Sequence, residues 1–300
     1  MSTYVAFEKM HQHIEELSEI IQKKLADIKN EFPRQYNQSE ITEAMWYSLM
    51  AGGKRVRPVL TLEFCRVCGG DIKNALSAAC AIEMIHTFSL IHDDLPCMDD
   101  DDMRRGMPSC HKAHGEAMAL LAGDALLNYA YELLAYDTKL SYETRIKLIS
   151  DLTKAVGVEG MIGGQVIDTT YCEEFDTKTL LDMYSMKTGA LLKTACKMGC
   201  IAAEADENKI RYAEKYAEKL GLAFQIIDDI LDITGDEKLV GKPIGSDAEC
   251  GKTTYASLNG IENSRKYAAE LTEDAMKLLD EFENNDLLKD FTRYLLERDY

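Results

Sequence analysis

The sequence predicts an all-α, single-domain protein, and three observations carry that prediction. Apolar residues recur at three- and four-residue spacing along most of the chain, as in helices with one buried face. Only five prolines occur, and the 134 positions from 109 to 242 hold none, which suits long helices because interior proline breaks them. Alternating strand runs are absent, and no Asn-Gly or Asp-Gly pair sits between such runs. No linker, low-complexity tract or fixed-period repeat divides the 300 residues, so one domain over residues 1–300 is expected.

The elements follow in chain order. Ile14, Leu17, Ile21, Leu25 and Ile28 step by three, four, four and three residues, an amphipathic helix. Gly52-Gly53-Lys54-Arg55-Val56-Arg57-Pro58 is a glycine-softened basic turn entering a helix near Pro58. Gly69-Gly70-Asp71 marks a loop, after which Ile82-Met84-Ile85-Phe88-Leu90-Ile91 forms an apolar, core-facing helix. A helix through Met161-Ile162-Gly163-Gly164-Gln165 carries a glycine pair in its middle, at a cost of about 1 kcal/mol per glycine. Cys172 to Asp176 is a loop, and Lys187-Thr188-Gly189, Lys242 and Lys252 sit in or beside helix ends and loops. Asp206 caps a helix built on Ile210, Ala213, Ala217 and Leu220. A loop from Gly235 to Thr254 precedes a last helix with Tyr267, Leu271 and Leu278 on one face.

Composition narrows the function. A net charge of −18 repels phosphate backbones, so nucleic acid is not the expected partner. The N-terminus lacks a basic region followed by an apolar stretch, and no apolar run approaches the ~20 residues of a membrane span, so no stable membrane insertion is expected. Nine scattered cysteines suit reduced thiols and a cytoplasmic setting. The Cys65–Cys68 pair has no second pair to complete a zinc site and reads as buried thiols.

Two acidic segments stand out. Between Asp93 and Asp102 lie six aspartates, Asp93, Asp94, Asp99, Asp100, Asp101 and Asp102, directly after the apolar helix. Their mutual repulsion asks for cations, and oxygen donors without clustered thiolates favour magnesium, manganese or calcium. An EF-hand starting at Asp99 fails, with Arg104 where glycine belongs and Cys110 where the last glutamate belongs. On a straight helix Asp93 and Asp99 point about 120° apart, so they converge only if Pro96 breaks the helix. The second segment, Gln225 to Asp232, sets Gln225, Asp228 and Asp232 along one helix face among apolar neighbours. Basic residues supply the complement: Lys54, Arg55 and Arg57, then Arg104-Arg105, Lys187, Lys242 and Lys252. Two carboxylate sets with dispersed cations describe a metal-bridged diphosphate site.

In order along roughly residues 40 to 260, GGKRVRP, the DDxxxxD run with RRG, GGQVID at Gly163–Asp168, KTG, FQIIDDILD and the pairs Gly241-Lys242 and Gly251-Lys252 resemble a trans-isoprenyl diphosphate synthase, most of all the bacterial farnesyl diphosphate synthases. The resemblance implies a polyprenyl synthetase-like helical bundle around a deep central cavity, with the aspartate motifs facing each other across it. It implies three Mg²⁺ ions, with Mn²⁺ able to substitute, held by Asp93, Asp99 and Asp228 and supported by Asp94 and Asp232. Arg104, Lys187 and Lys242 would hold the allylic diphosphate with Thr188, Gln225 and Lys252 nearby, and Lys54, Arg57, His86 and Arg105 would hold isopentenyl diphosphate. The implied enzyme is a homodimeric prenyltransferase that condenses isopentenyl diphosphate with dimethylallyl and geranyl diphosphate. It also implies that the glycine pair is a kink.

Product length rests on Phe88, five residues before Asp93, where the resemblance implies that an aromatic stops growth at fifteen carbons. By helix geometry Phe88 lies about 140° from Asp93 and small Ser89 only about 40°. A twenty-carbon geranylgeranyl product is the alternative. More distant readings are an HD-type phosphohydrolase suggested by His92-Asp93, a terpene cyclase, and a non-catalytic subunit of a two-subunit prenyltransferase. His92 would support the metal site indirectly, His111 and His114 would be surface residues, and Arg298 is a candidate to close over the site.

Overall fold

The computed structural model describes residues 3–32, 39–170, 176–234 and 252–296. Cys172, Lys242, Arg298 and the Gly241 and Gly251 glycines lie outside the described residues. The fold is all-α, with fourteen helices among the described residues. Two compact units carry it, one of Gln12–Leu152 and Met198–Glu204, the other of Met1–His11, Thr153–Lys197 and Ala205–Tyr300.

In the first unit the helices are most of α1 (Thr3–Glu31), α2 (Ser39–Leu49), α3 (Val56–Val67), α4 (Ile72–Asp93), α5 (Cys110–His114), α6 (Glu116–Ala135) and most of α7 (Tyr142–Val156). Helix α3 starts two residues before the proline expected to open it, with Arg55 as a left-handed N-cap at φ 47°. Asp71 caps α4 by accepting the Lys73 N–H at 2.9 Å. Helix α4 is apolar all round and packs against α3 and α6, the expected setting for such a helix. Contrary to the hydropathy expectation, α4 is long and apolar enough to cross a membrane. Yet 72% of its apolar window is buried inside the protein, and Glu83 and His86 interrupt it, so it is a core helix.

Two short strands, β1 (Met103–Arg104) and β2 (Met107–Pro108), form a hairpin that the sequence expectation missed. Its turn residues Arg105 and Gly106 both have positive φ, 53° and 76°, as a tight primed turn requires. The signal was Arg-Gly rather than Asn-Gly, and the strands are too short to alternate.

The second unit holds α8 (Met161–Thr170), α9 (Thr177–Tyr184), most of α10 (Ala190–Ala202), α11 (Glu207–Thr234), α12 (Tyr255–Asn259), α13 (Ile261–Leu278) and α14 (Asp286–Leu296). Asp206 caps α11 as expected, accepting the N–H groups of Asn208 and Lys209 at 2.8 and 3.1 Å. Helix α13 packs along α11, and the buried Tyr216 hydroxyl bonds the Thr292 hydroxyl of α14 at 2.7 Å.

Two expectations are corrected here. The glycine pair lies in the first turn of α8, not mid-helix, and its use is close approach: a Cβ on Gly164 would stand 2.3 Å from the Lys187 amide nitrogen. Lys187-Thr188-Gly189 lies between two helix ends, as expected, but in no loop, because Ser185–Gly189 forms a π-helical turn between α9 and α10. Such bulges often mark functional sites.

Candidate active site

The basic residues of the first unit converge on α4. Helix α3 carries Arg57, whose Nη1 lies 3.3 Å from Nε2 of His86 on α4. Burial lowers the Arg57 pKa to about 10, and neighbouring Arg105 adds to the effect while Glu83 opposes it. Burial also pushes His86 well below 6.5, helped by Arg57 and three further guanidinium groups. A neutral imidazole therefore faces the guanidinium and accepts its hydrogen bond. Arg105 Nη2 reaches Glu83 Oε1 at 3.3 Å and packs over the basic turn, where a Cβ at Gly53 would come 2.9 Å from Arg105 Nε. Gly53 is also at φ 112°, the left-handed region that favours glycine. Exposed Lys54 lies on the same turn. Three of the four residues expected to hold isopentenyl diphosphate thus form one cluster, and the fourth lies on the turn that Arg105 covers.

The aspartate run begins at the end of α4. The helix stops at Asp93, and the chain turns back so that the Asp99 N–H donates to the Asp93 carbonyl at 2.9 Å. The helix thus ends three residues before Pro96, and it is the backbones of Asp93 and Asp99 that meet. Asp94 turns inward, 2% exposed, and takes Arg104 Nε at 2.9 Å, while Arg104 Nη2 also reaches Asp101 at 2.7 Å. Burial raises the Asp94 pKa and Arg104 pulls it back; burial lowers that of Arg104, but Asp94 and Asp101 outweigh it. Asp94 is therefore placed to orient Arg104, a residue expected at the allylic diphosphate.

Among the described residues, three ligand atoms lie within 4.8 Å of one another only at Asp100, Asp102 and His111. His111 is buried, contrary to the expected surface position, and its Nδ1 lies 3.0 Å from the Ser109 hydroxyl. Lys112 already neutralises Asp102 at 2.7 Å. His114 is half-buried, its ring edge-on to Tyr47. His92 faces α6, with Nε2 3.0 Å from the Leu120 carbonyl oxygen. Oxygen-rich donors without clustered thiolates fit Mg²⁺ or Mn²⁺. Cys65 is buried, with its pKa pushed up to about 12, so its thiol is a poor metal ligand.

In the second unit Gln225, Asp228 and Asp232 are half-buried on α11, as the spacing predicts. Between them Asp229 turns into the core, accepting the Tyr184 hydroxyl at 2.7 Å and the Tyr255 N–H at 2.8 Å. Lys187, beside Thr188 on the π-helical turn, pairs with Asp168 of α8 at 2.5 Å. Lys252 is exposed just before α12.

Sequence reasoning missed Glu83, the pairing role of Asp168, and the Asp229 network. A lone carboxylate amid the apolar residues of α4 was the available signal, since a buried charge needs a partner.

Residues 38–295 match the family described as Polyprenyl synthetase. The chain is 47% identical over 251 residues to a geranylgeranyl diphosphate synthase of Cyanophora paradoxa, covering 83% of this chain and 84% of the relative. It is 45% identical over 247 residues to a chloroplastic geranylgeranyl pyrophosphate synthase of Capsicum annuum, covering 81% and 67%. Among solved structures, an apo FPP/GFPP synthase from Zymomonas mobilis superposes with a TM-score of 0.86 at 35% identity, covering 97% of this chain and 99% of the other.

Proposed function

The chain belongs to the polyprenyl synthetase family and is a prenyltransferase, and from that premise we propose that its product is farnesyl diphosphate. The observation that carries the product assignment is Phe88, a bulky ring buried on α4 five residues before Asp93. Geranylgeranyl diphosphate is the second reading, favoured by the printed activity of the two relatives above.

In this reading Lys54, Arg57, His86 and Arg105 bind the diphosphate of isopentenyl diphosphate. Arg104, Lys187, Thr188, Gln225, Lys242 and Lys252 hold the allylic diphosphate, with Arg104 oriented by Asp94 and Lys187 by Asp168. Asp93, Asp99, Asp228 and Asp232 would hold Mg²⁺. The bound metal supplies positive charge against departing pyrophosphate. The cationic side chains stabilise the same developing charge, so the allylic carbon–oxygen bond breaks with its electron pair leaving on pyrophosphate. The double bond of isopentenyl diphosphate then forms the new carbon–carbon bond to the allylic cation, and loss of a proton restores a double bond. No enzyme nucleophile takes part. Apolar walls such as Phe88 keep water from the cation. A homodimer in a reducing, cytoplasmic setting completes the proposal.

The test is incubation with Mg²⁺, isopentenyl diphosphate and dimethylallyl or geranyl diphosphate, followed by sizing of the dephosphorylated product. A fifteen-carbon alcohol is expected. A twenty-carbon product refutes the length assignment, and no product refutes the reaction.

A further inference from the structure

Glu83 sits where the basic residues of the first unit meet. It is 1% exposed, and its Oε1 accepts from both Arg55 Nη1 and Arg105 Nη2. Arg55 is buried too, and its Nη2 donates to the Leu49 carbonyl at 2.6 Å and to Gln22 Oε1 at 3.3 Å. These bonds tie the left-handed Arg55, and with it the Gly52–Arg55 turn bearing Lys54, to α1, α2 and α4. Arg105 is held from both sides, by Glu83 and by the close approach of Gly53.

The hairpin sorts two consecutive arginines. Positive φ at Arg105 turns the chain so that Arg104 pairs with Asp94 while Arg105 pairs with Glu83. The two carboxylates lie eleven residues apart, Glu83 within α4 and Asp94 at its C-cap.

We propose that Glu83 is a positioning residue for the second diphosphate: it fixes Arg105 directly and the Lys54 turn through Arg55, without touching substrate. The proposal rests on the assignment of that cluster to isopentenyl diphosphate. Its physical content is preorganisation. Without Glu83, Arg55 and Arg105 repel each other beside Arg57, and the donors must be ordered when the substrate binds.

Glu83→Gln keeps the shape and removes the charge. The Michaelis constant for isopentenyl diphosphate should rise at least about tenfold, while kcat and the allylic Michaelis constant stay within about twofold. The same change lowers the melting temperature, because Arg55 is left as a buried charge without its counter-charge. The double variant Glu83→Gln/Arg55→Met removes both charges of that pair, so its melting temperature should recover while the isopentenyl defect persists. Equal changes in both Michaelis constants, an unchanged isopentenyl constant, or a double variant that regains wild-type kinetics with its stability would each overturn the positioning role. A wild-type protein that makes no prenyl product would instead remove the functional assignment beneath it.

Discussion

Replacing Phe88 by alanine should lengthen the product, and the structure sets what the change removes. Phe88 is 6% exposed, with its ring edge-on to His92 at 5.1 Å between centroids. The imidazole Nε2 lies 3.0 Å from the Leu120 carbonyl oxygen, and the ring sits so close to α6 that a Cβ at Gly123 would clash with it. These contacts keep His92 in place, so the imidazole does not fill the space that the deleted ring leaves. Truncation removes six of the seven side-chain carbons, and one more condensation adds five, so the vacated space matches a single isoprene unit. Left empty, such a space costs on the order of 3–5 kcal/mol, and a longer product that fills it recovers part of that cost. The melting temperature of the free variant should fall on the order of 10 °C. Asp93 lies about 7.5 Å along α4 from Phe88 at 1.5 Å per residue. In the proposed function a product held by its diphosphate near Asp93 meets the ring as it grows, although Phe88 lies about 140° round the helix from Asp93. Chromatography of dephosphorylated products should show fifteen carbons for the wild type and twenty or more for Phe88→Ala. Ser89→Ala should stay at fifteen, since Ser89 is small and its hydroxyl is spent on the His86 carbonyl at 2.9 Å. A Phe88 variant that stops at fifteen, or a wild type that reaches twenty, would refute the reasoning.

Asp93→Ala and Asp228→Ala should each abolish condensation without unfolding the chain; Mg²⁺ with a bisphosphonate should raise the melting temperature of the wild type and not of the variants, and unaltered turnover would sink the metal assignment. His86 predicts a pH effect on stability. Burial and the neighbouring guanidinium groups hold its pKa well below 6.5. On acidification the unfolded chain takes up that proton first, so stability present above about 6.5 is lost below it, by at most ~1.4 kcal/mol per pH unit. His86→Asn should be relatively more stable at about pH 5.5 than at about pH 7.5 in urea unfolding, and a difference independent of pH would exclude the effect. Gly164→Ala should lower the melting temperature and raise the allylic Michaelis constant, because a Cβ 2.3 Å from the Lys187 nitrogen must push the π-helical turn away from α8. Wild-type values for both would show that this approach is unimportant.

The periodic parts of the fold were legible because burial writes a three-to-four spacing into α1, α11 and α13. The parts that escaped depend on partners distant in sequence. Nothing local distinguishes Arg104 from Arg105, and the hairpin that parts them has strands too short to show alternation. Gly163 and Gly164 looked like a cost inside α8, because the reason for Gly164 is a backbone atom of residue 187. His111 looked like a surface residue in a polar stretch, yet its ring is buried beside Ser109. Asp228 and Asp232 could be placed on one face by spacing alone, whereas the core role of Asp229 needed Tyr184 and Tyr255, more than twenty residues away on either side.

In the proposed function, charge balance within the first unit separates the two kinds of diphosphate subsite. Around Glu83, the guanidinium groups of Arg55, Arg57 and Arg105 stand against its one carboxylate, and His86 is neutral, leaving two positive charges in excess. In the proposed function a diphosphate ester is drawn to this positive excess without added metal. Beyond the end of α4 the balance reverses. Six aspartates between Asp93 and Asp102 stand against Arg104 and Lys112, four negative charges in excess, and an anion can approach only with added cations. Chelation should therefore split the two affinities. In calorimetric titrations with excess EDTA, isopentenyl diphosphate should bind within about threefold of its affinity in Mg²⁺, since its partners are all side chains. A bisphosphonate directed at the allylic site should lose binding by at least about a hundredfold under the same conditions, the loss expected when like charges face each other unscreened. Parallel loss of both would mean that the basic cluster is not a self-sufficient anion site, and parallel retention would mean that the aspartates do not act through metal.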